Sequence, residues 1–285
     1  MPWTNYHSHT NYCDGYNKPE EYAKEAVKQG MIAYGYSSHA PVPFLCEWTI
    51  PERKIGSYIN EINLLKAKYK DEIQLYMGLE VDFIPNVTGP NYPQILKLNP
   101  DYTIGSIHFV DQFDNGERWC IDWTEDYFYK GLKQIFYNDV KKTVKRFFEL
   151  NKQMVCESAP DVIGHLDKIR MHNRDLFDEN NKWYKDEVYD LLKLIKSKNV
   201  IIEINTRGYY KAGSRLYPDP FFFKDIKRLN IPVSLNSDAH SPDEITKGYL
   251  YAAKILKQEG IDEIWSFIDN KWKPFLFDSV KGINL

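Results

Sequence analysis

A chain of 285 residues with 15% aromatic and 27% charged side chains can build a large core under a solvated surface, which excludes intrinsic disorder. Its 37 basic and 40 acidic side chains leave a formal charge of -3, so no general electrostatic footprint for nucleic acid or an anionic membrane is present. Scattered Cys13, Cys46, Cys120 and Cys156, no run of about 18 apolar residues and no room for a signal peptide before His7 point to a soluble cytoplasmic protein.

The first expected strand, about 4–8, enters His7-Ser8-His9, where two imidazoles two residues apart lie on one face of an extended segment. Asp14-Gly15 follows as a turn whose place on the first loop lets a carboxylate swing back. A helix over about 19–29 stops at Gly30, and a second strand, about 33–38, ends at His39. After a helix at about 54–69 comes a strand at about 74–80 ending in Glu80, and the proline-rich Asn86 to Pro100 reads as an ordered excursion. The fourth strand, about 102–107, closes on His108.

Residues 109 to 126 then carry Asp111, Asp114, Glu117, Asp122, Glu125 and Asp126 against one Arg118, interleaved with Phe109, Phe113, Trp119 and Trp123. Following a strand's carboxyl end, this segment suits a lid that offers acids to an ammonium group and rings to an imidazole; a plain solvated loop is the competing reading. A long helix is expected at about 124–151, then a strand at about 161–165 ending in His165, a helix at about 184–198 and a strand at about 199–205. His172, in a charged loop outside this pattern, reads as an ordinary surface histidine. A helix at about 220–229 precedes the seventh strand, about 231–237, whose Asn236-Ser237-Asp238-Ala239-His240 adds an Asp-x-His pair. Ser241-Pro242-Asp243-Glu244 has the form of a helix start, and a last helix is expected at about 262–270.

Seven strand and helix alternations fit a barrel or a doubly wound sheet. An open sheet gathers its ligands at one crevice, whereas here nearly every strand ends in a candidate ligand, so a seven-stranded α/β barrel of the TIM type, one domain over residues 1–285, is expected. The candidate ligands are His7, His9, Asp14, His39, Glu80, His108, His165, Asp238 and His240. This mixed imidazole and carboxylate set suits zinc, iron or manganese, and it is large enough for two or three divalent ions.

The segments His7-Ser8-His9-Thr10 with Asp14-Gly15, His39, Gly78-Leu79-Glu80, Gly105-Ser106-Ile107-His108, Gly164-His165-Leu166-Asp167 and Asn236-Ser237-Asp238-Ala239-His240 resemble the polymerase and histidinol phosphatase (PHP) family in order and spacing, and more its stand-alone phosphatases than its polymerase-linked domains. The resemblance implies a distorted seven-stranded barrel with a trinuclear site. His7, His9, Glu80 and Asp238 would serve one ion, Glu80, His108 and His165 a second, and Asp14, His39 and His240 a third. Asp14 stands where many members carry histidine. Arg207, in Asn205-Thr206-Arg207-Gly208, resembles a phosphate-binding arginine of the family.

The implied activity is hydrolysis of L-histidinol phosphate to L-histidinol and phosphate in histidine biosynthesis, by attack of metal-bound hydroxide, with His240 or Asp14 assisting the leaving alkoxide. Arg207 would grip two phosphoryl oxygens, with Lys168, Arg170 and Arg215 as further substrate-binding candidates. Competing readings are a nuclease or nucleotide phosphatase with the same metals, and a non-enzymatic metal-binding protein; the first calls for a basic track and the second for a closed, thiol-rich site. The expected partner is a small phosphate ester, with no nucleic acid and no membrane.

Overall fold

Runs such as Ile201-Ile202 are apolar on both faces and are stable only when both are covered, which suits a parallel sheet wrapped in helices. The computed structural model describes residues 2–173, 175–211 and 215–284. Its strands are β1 (Thr4–Asn5), β2 (Ala33–Tyr36), β3 (Gln74–Asp82), β4 (Tyr102–Ser106), β5 (Phe109–Gln112), β6 (Arg118–Cys120), β7 (Val162–Ile163), β8 (Ile201–Asn205), β9 (Val233–Asn236), β10 (Glu263–Ile268), β11 (Lys271–Asp278) and β12 (Gly282–Ile283). The principal sheet has the order β1-β2-β3-β4-β7-β8-β9, with every pair parallel.

Bonds beyond the ends of β1 and β9 close this sheet on itself. His9 N–H donates to the Ala239 carbonyl at 2.8 Å and Ala239 N–H to the His7 carbonyl at 3.1 Å. Closure therefore happens at the carboxyl end of the barrel, where the candidate ligands stand. Deeper in the barrel, the Tyr102 hydroxyl donates to the carbonyl of Tyr6 at 2.6 Å. Its side chain lies so close to Gly35 and Gly78 that a Cβ would come within 2.3 Å of the hydroxyl oxygen at the first and of a ring carbon at the second. Any larger residue at those two positions would expel the ring.

The surrounding helices are α1 (Pro19–Lys28), α2 (Ile55–Lys68), α3 (Pro93–Leu96), α4 (Glu125–Gln134), α5 (Val140–Glu157), α6 (Lys182–Lys198), α7 (Arg207–Lys211), α8 (Phe223–Arg228) and α9 (Tyr249–Gln258). In α5 the buried Val144, Phe147, Phe148, Met154 and Val155 recur at helical spacing on one face, which fixes its packing against the core. Among the described residues no helix is long and apolar enough to cross a membrane.

Four features differ from the expectations. The single helix over about 124–151 is two, because Tyr137 and Asn138 adopt φ of 52° and 63° and Asp139 then caps α5 through the Lys142 N–H. Ser241 opens only a short 3-10 turn, Pro242–Glu244, and Glu244 turns its carboxylate to the His240 N–H at 2.9 Å. The expected helix at 262–270 is β10, paired antiparallel with β11 and packed through Phe267 and Trp272 against Tyr6, Tyr76 and Tyr102. The acidic aromatic segment after β4 is a β5–β6 hairpin running into α4 rather than an irregular loop.

Candidate metal centre

Parallel strands entering a closed barrel end on one rim, so residues far apart in sequence converge there. His7 and His9 follow β1, His39 follows β2, Glu80 lies within β3, His108 follows β4, His165 follows β7, and Asp238 and His240 follow β9. Each of these side chains is buried, while Asp14 is about one-third exposed at the rim. The two residues His165 and Asp238 have left-handed backbones, at φ of 21° and 53°, a strain that persists where surrounding structure demands it.

All nine candidate ligands join one network. Glu80 is its hub: Oε2 lies 3.1 Å from His7 Nε2, 3.4 Å from His9 Nε2 and 3.0 Å from His39 Nδ1, and Oε1 lies 2.9 Å from His165 Nε2. His108 Nε2 faces His165 Nε2 at 3.2 Å. Asp238 Oδ1 is 3.2 Å from His9 Nε2, and Asp14 Oδ2 is 3.1 Å from His240 Nε2. His7, Glu80 and His165, the set His7, His9 and Asp238, and the set His9, Asp14 and His240 each bring one donor atom within 4.8 Å of the others.

The donors fit a cluster of cations. His7 Nε2, His39 Nδ1, Glu80 Oε2 and Asp14 Oδ1 are buried and make no hydrogen bond, although buried polar atoms ordinarily find one. The electrostatics agree. Burial opposes charge on Glu80, yet His7, His39 and His108 hold its carboxyl well below the usual range. Burial likewise opposes charge on Asp238, and His7 together with His9 holds it well below. Burial, with His9 and His108 nearby, pushes His39 well down.

Two acids outside the expected set support this network. Glu203, buried in β8, approaches His7 Nδ1 at 2.6 Å and receives the His165 N–H at 2.9 Å. Asp82 meets His108 Nδ1 at 3.0 Å. Each leaves the opposite ring nitrogen free to face the cluster, the usual arrangement behind a metal-bound imidazole. Both had a sequence signal: Glu203 interrupts an apolar run, where a charge is costly without a partner, and Asp82 lies two residues beyond Glu80 on the same strand face.

Beside the cluster, Lys168, Arg207 and Lys211 line a small cationic recess of about 100 Å³ with His165 and Asp238. Arg207 Nη1 donates to the Asp238 carbonyl at 2.8 Å, and Lys168 Nζ pairs with Asp122 at 2.7 Å. Arg170 and Arg215 do not line that recess. Arg170 is 1% exposed and pairs with Asp167 at 2.7 Å, Glu179 at 3.0 Å and Asp219 at 2.6 Å, while Arg215 pairs with Glu179 at 2.5 Å. Their expected role in substrate binding gives way to holding loops together, because their guanidinium groups are already committed to carboxylates. His172 is half-buried against the Phe128 ring at 5.3 Å rather than on the open surface.

A family model described as the PHP domain matches residues 5–207. The chain belongs to the PHP family. The match ends before Asp238 and His240, which the fold returns to the same rim. Over 263 residues the chain is 24% identical to the histidinol-phosphatase of Bacillus subtilis, covering 87% of this chain and 96% of that protein. A crystal structure from Listeria monocytogenes superposes with a TM-score of 0.75 at 20% identity over 86% of this chain and 98% of the other. The histidinol phosphate phosphatase of Lactococcus lactis, solved with zinc, L-histidinol and phosphate, superposes with a TM-score of 0.72 at 20% identity over 95% of this chain and 98% of that one. These likenesses show that this PHP protein shares the barrel fold of the two solved structures.

Proposed function

We propose that this protein is a metal-dependent phosphomonoesterase that hydrolyses L-histidinol phosphate to L-histidinol and phosphate in the cytoplasm, as one domain over residues 1–285. The observation that carries this reading is the meeting of the buried His, Glu and Asp donors with a cationic recess at one barrel rim. The named activity of the Bacillus subtilis relative and the ligands of the Lactococcus lactis structure support the substrate.

His7, His9, Glu80 and Asp238 would hold one ion, Glu80, His108 and His165 a second, and Asp14, His39 and His240 a third, with zinc, iron or manganese suited to these donors. Bound there, divalent ions supply Lewis acidity toward phosphoryl oxygens and activate water at neutral pH. Glu203 and Asp82 orient His7 and His108. Arg207 and Lys168 draw the phosphoryl oxygens into the recess and offset their charge. His240 Nε2 and Asp14 Oδ2, 3.1 Å apart at the rim, are placed so that whichever of the two is released from the third ion would assist the leaving alkoxide.

The nuclease reading calls for a basic track leading to the donors. Lys141, Lys142, Lys145 and Arg146 instead line another cavity, with Asp111 and Glu149 and none of the donor residues. The test is phosphate release by metal-analysed protein from L-histidinol phosphate, nucleotides and a phosphodiester, alongside Glu80→Gln. Preference for L-histidinol phosphate and near-complete loss in the variant are expected; preference for a nucleotide or diester, or survival of turnover without the Glu80 charge, reverses the reading.

A further inference from the structure

The geometry points to Glu47 as the specificity residue for the far end of the substrate, accepting a ring N–H of its imidazole against the indoles of Trp48 and Trp123. This rests on the phosphatase reading above and extends it to a part of the site remote from the phosphoryl group.

Two cavities lie side by side on the rim. The inner one, about 450 Å³, touches Asp14, His39 and His108; the outer one, about 640 Å³, touches Phe44 and Phe109. Glu47, Trp48 and Trp123 line both, so they form the throat through which anything seated on the cluster extends outward. Trp48 is a fixed wall. Its ring meets His39 edge-on at 4.6 Å and His108 at 5.3 Å, and it stacks on Phe109 at 5.3 Å with 17° between planes. Trp123 is 53% exposed, leaving an aromatic face for a ligand.

The acids of this cleft differ in what they are free to do. Asp14 faces His240 at 3.1 Å, Asp122 is held by Lys168 at 2.7 Å, and Glu117 accepts the Tyr127 hydroxyl at 2.7 Å. Glu47 is exposed and, among the described residues, pairs with none of them. A free carboxylate beside two indoles is suited to a flat, N–H-bearing ring, which stacks on the indole while an edge nitrogen donates to the acid. In L-histidinol phosphate three carbons separate the ester oxygen from the imidazole. Asp122 lines both the recess of Lys168 and Arg207 and the inner cavity, so with the phosphoryl group in that recess the ring would extend through the inner cavity toward this throat.

The test compares two esters. L-Histidinol phosphate carries the ring, whereas 2-aminoethyl phosphate keeps the ester and the ammonium group and lacks it. Glu47→Ala is expected to lower kcat/KM for L-histidinol phosphate by about 10- to 100-fold, mainly through KM, and to leave 2-aminoethyl phosphate within about twofold. Trp123→Ala should show the same selectivity. Equal losses on both esters, or none on either, overturn the assignment of Glu47. Failure of the underlying reading looks different: wild-type protein would then favour a nucleotide, or turn over the two esters equally, whatever stands at position 47. Both positions are exposed, and an unchanged melting temperature excludes misfolding as the cause of a selective loss.

Discussion

Glu203 Oε1 approaches His7 Nδ1 at 2.6 Å and so decides which nitrogen of that ring is left to face Glu80. Asn205 and Asn236 donate to the same carboxylate at 2.9 and 3.1 Å, which holds it in place. Replacing Glu203 by Gln removes the charge that fixes the imidazole. Metal affinity is expected to fall by about 10- to 100-fold, read as metal retained after dialysis against a graded chelator series. Retention equal to wild type would assign Glu203 a packing role only.

Metal loading should release protons. Burial disfavours charge on His7, His9 and His108, but Glu203, Asp238 and Glu80 hold His7 well above its ordinary range. Hydrogen bonds to Asp238 and Cys13 raise His9 to about 10, and Asp82 with Asp122 raises His108 to about 9. These surroundings favour the protonated rings in the metal-free protein, so a cation that takes their place is expected to displace protons. Calorimetric titration with zinc in buffers of different ionisation enthalpy measures the number released, and affinity should strengthen as pH rises from 6 to 8. Loading without proton release would contradict the charge state assigned to the three rings.

Arg207→Ala is expected to raise KM and lower kcat/KM by about 100-fold, in line with loss of a charge-assisted contact, with metal content unchanged. Full activity would remove Arg207 from the phosphate recess.

Arg170→Met separates a role in holding the loops from a role in binding substrate. Its removal strands Asp167, whose carboxyl burial already pushes up to about 6 despite the arginine beside it. Breaking such a buried pair costs about 3–5 kcal/mol, so the denaturation midpoint should drop clearly. The folded fraction should keep its KM for substrate; a KM effect without destabilisation would return Arg170 to the site.

The barrel was legible because strands covered on both faces read as apolar runs, broken in Val200 to Ile204 only by Glu203, and the donors stood out because each stands at the end of such a run. The C-terminal hairpin was misread because Ile264, Phe267 and Ile268 also fit helical spacing. Asp269-Asn270, at φ of 53° and 60°, is the two-residue turn that marks the segment as strands instead. Arg170 and Arg215 misled for another reason. Their neighbours Glu179 and Asp219 come from loops whose approach depends on the finished fold, and no local pattern announces it. Glu47 escaped notice on the same ground, since an exposed acid acquires meaning only from the cavity it borders.

The bonds joining His9 and His7 to Ala239 tie the beginning of the barrel to its last strand, across more than two hundred residues of chain. A partly synthesised polypeptide emerging from the ribosome holds His7, His9 and Glu80 long before Asp238 and His240 exist. If these residues hold the metal together, the complete cage exists only after the ring has shut, and any change that loosens the seam should lower metal retention before it unfolds the chain.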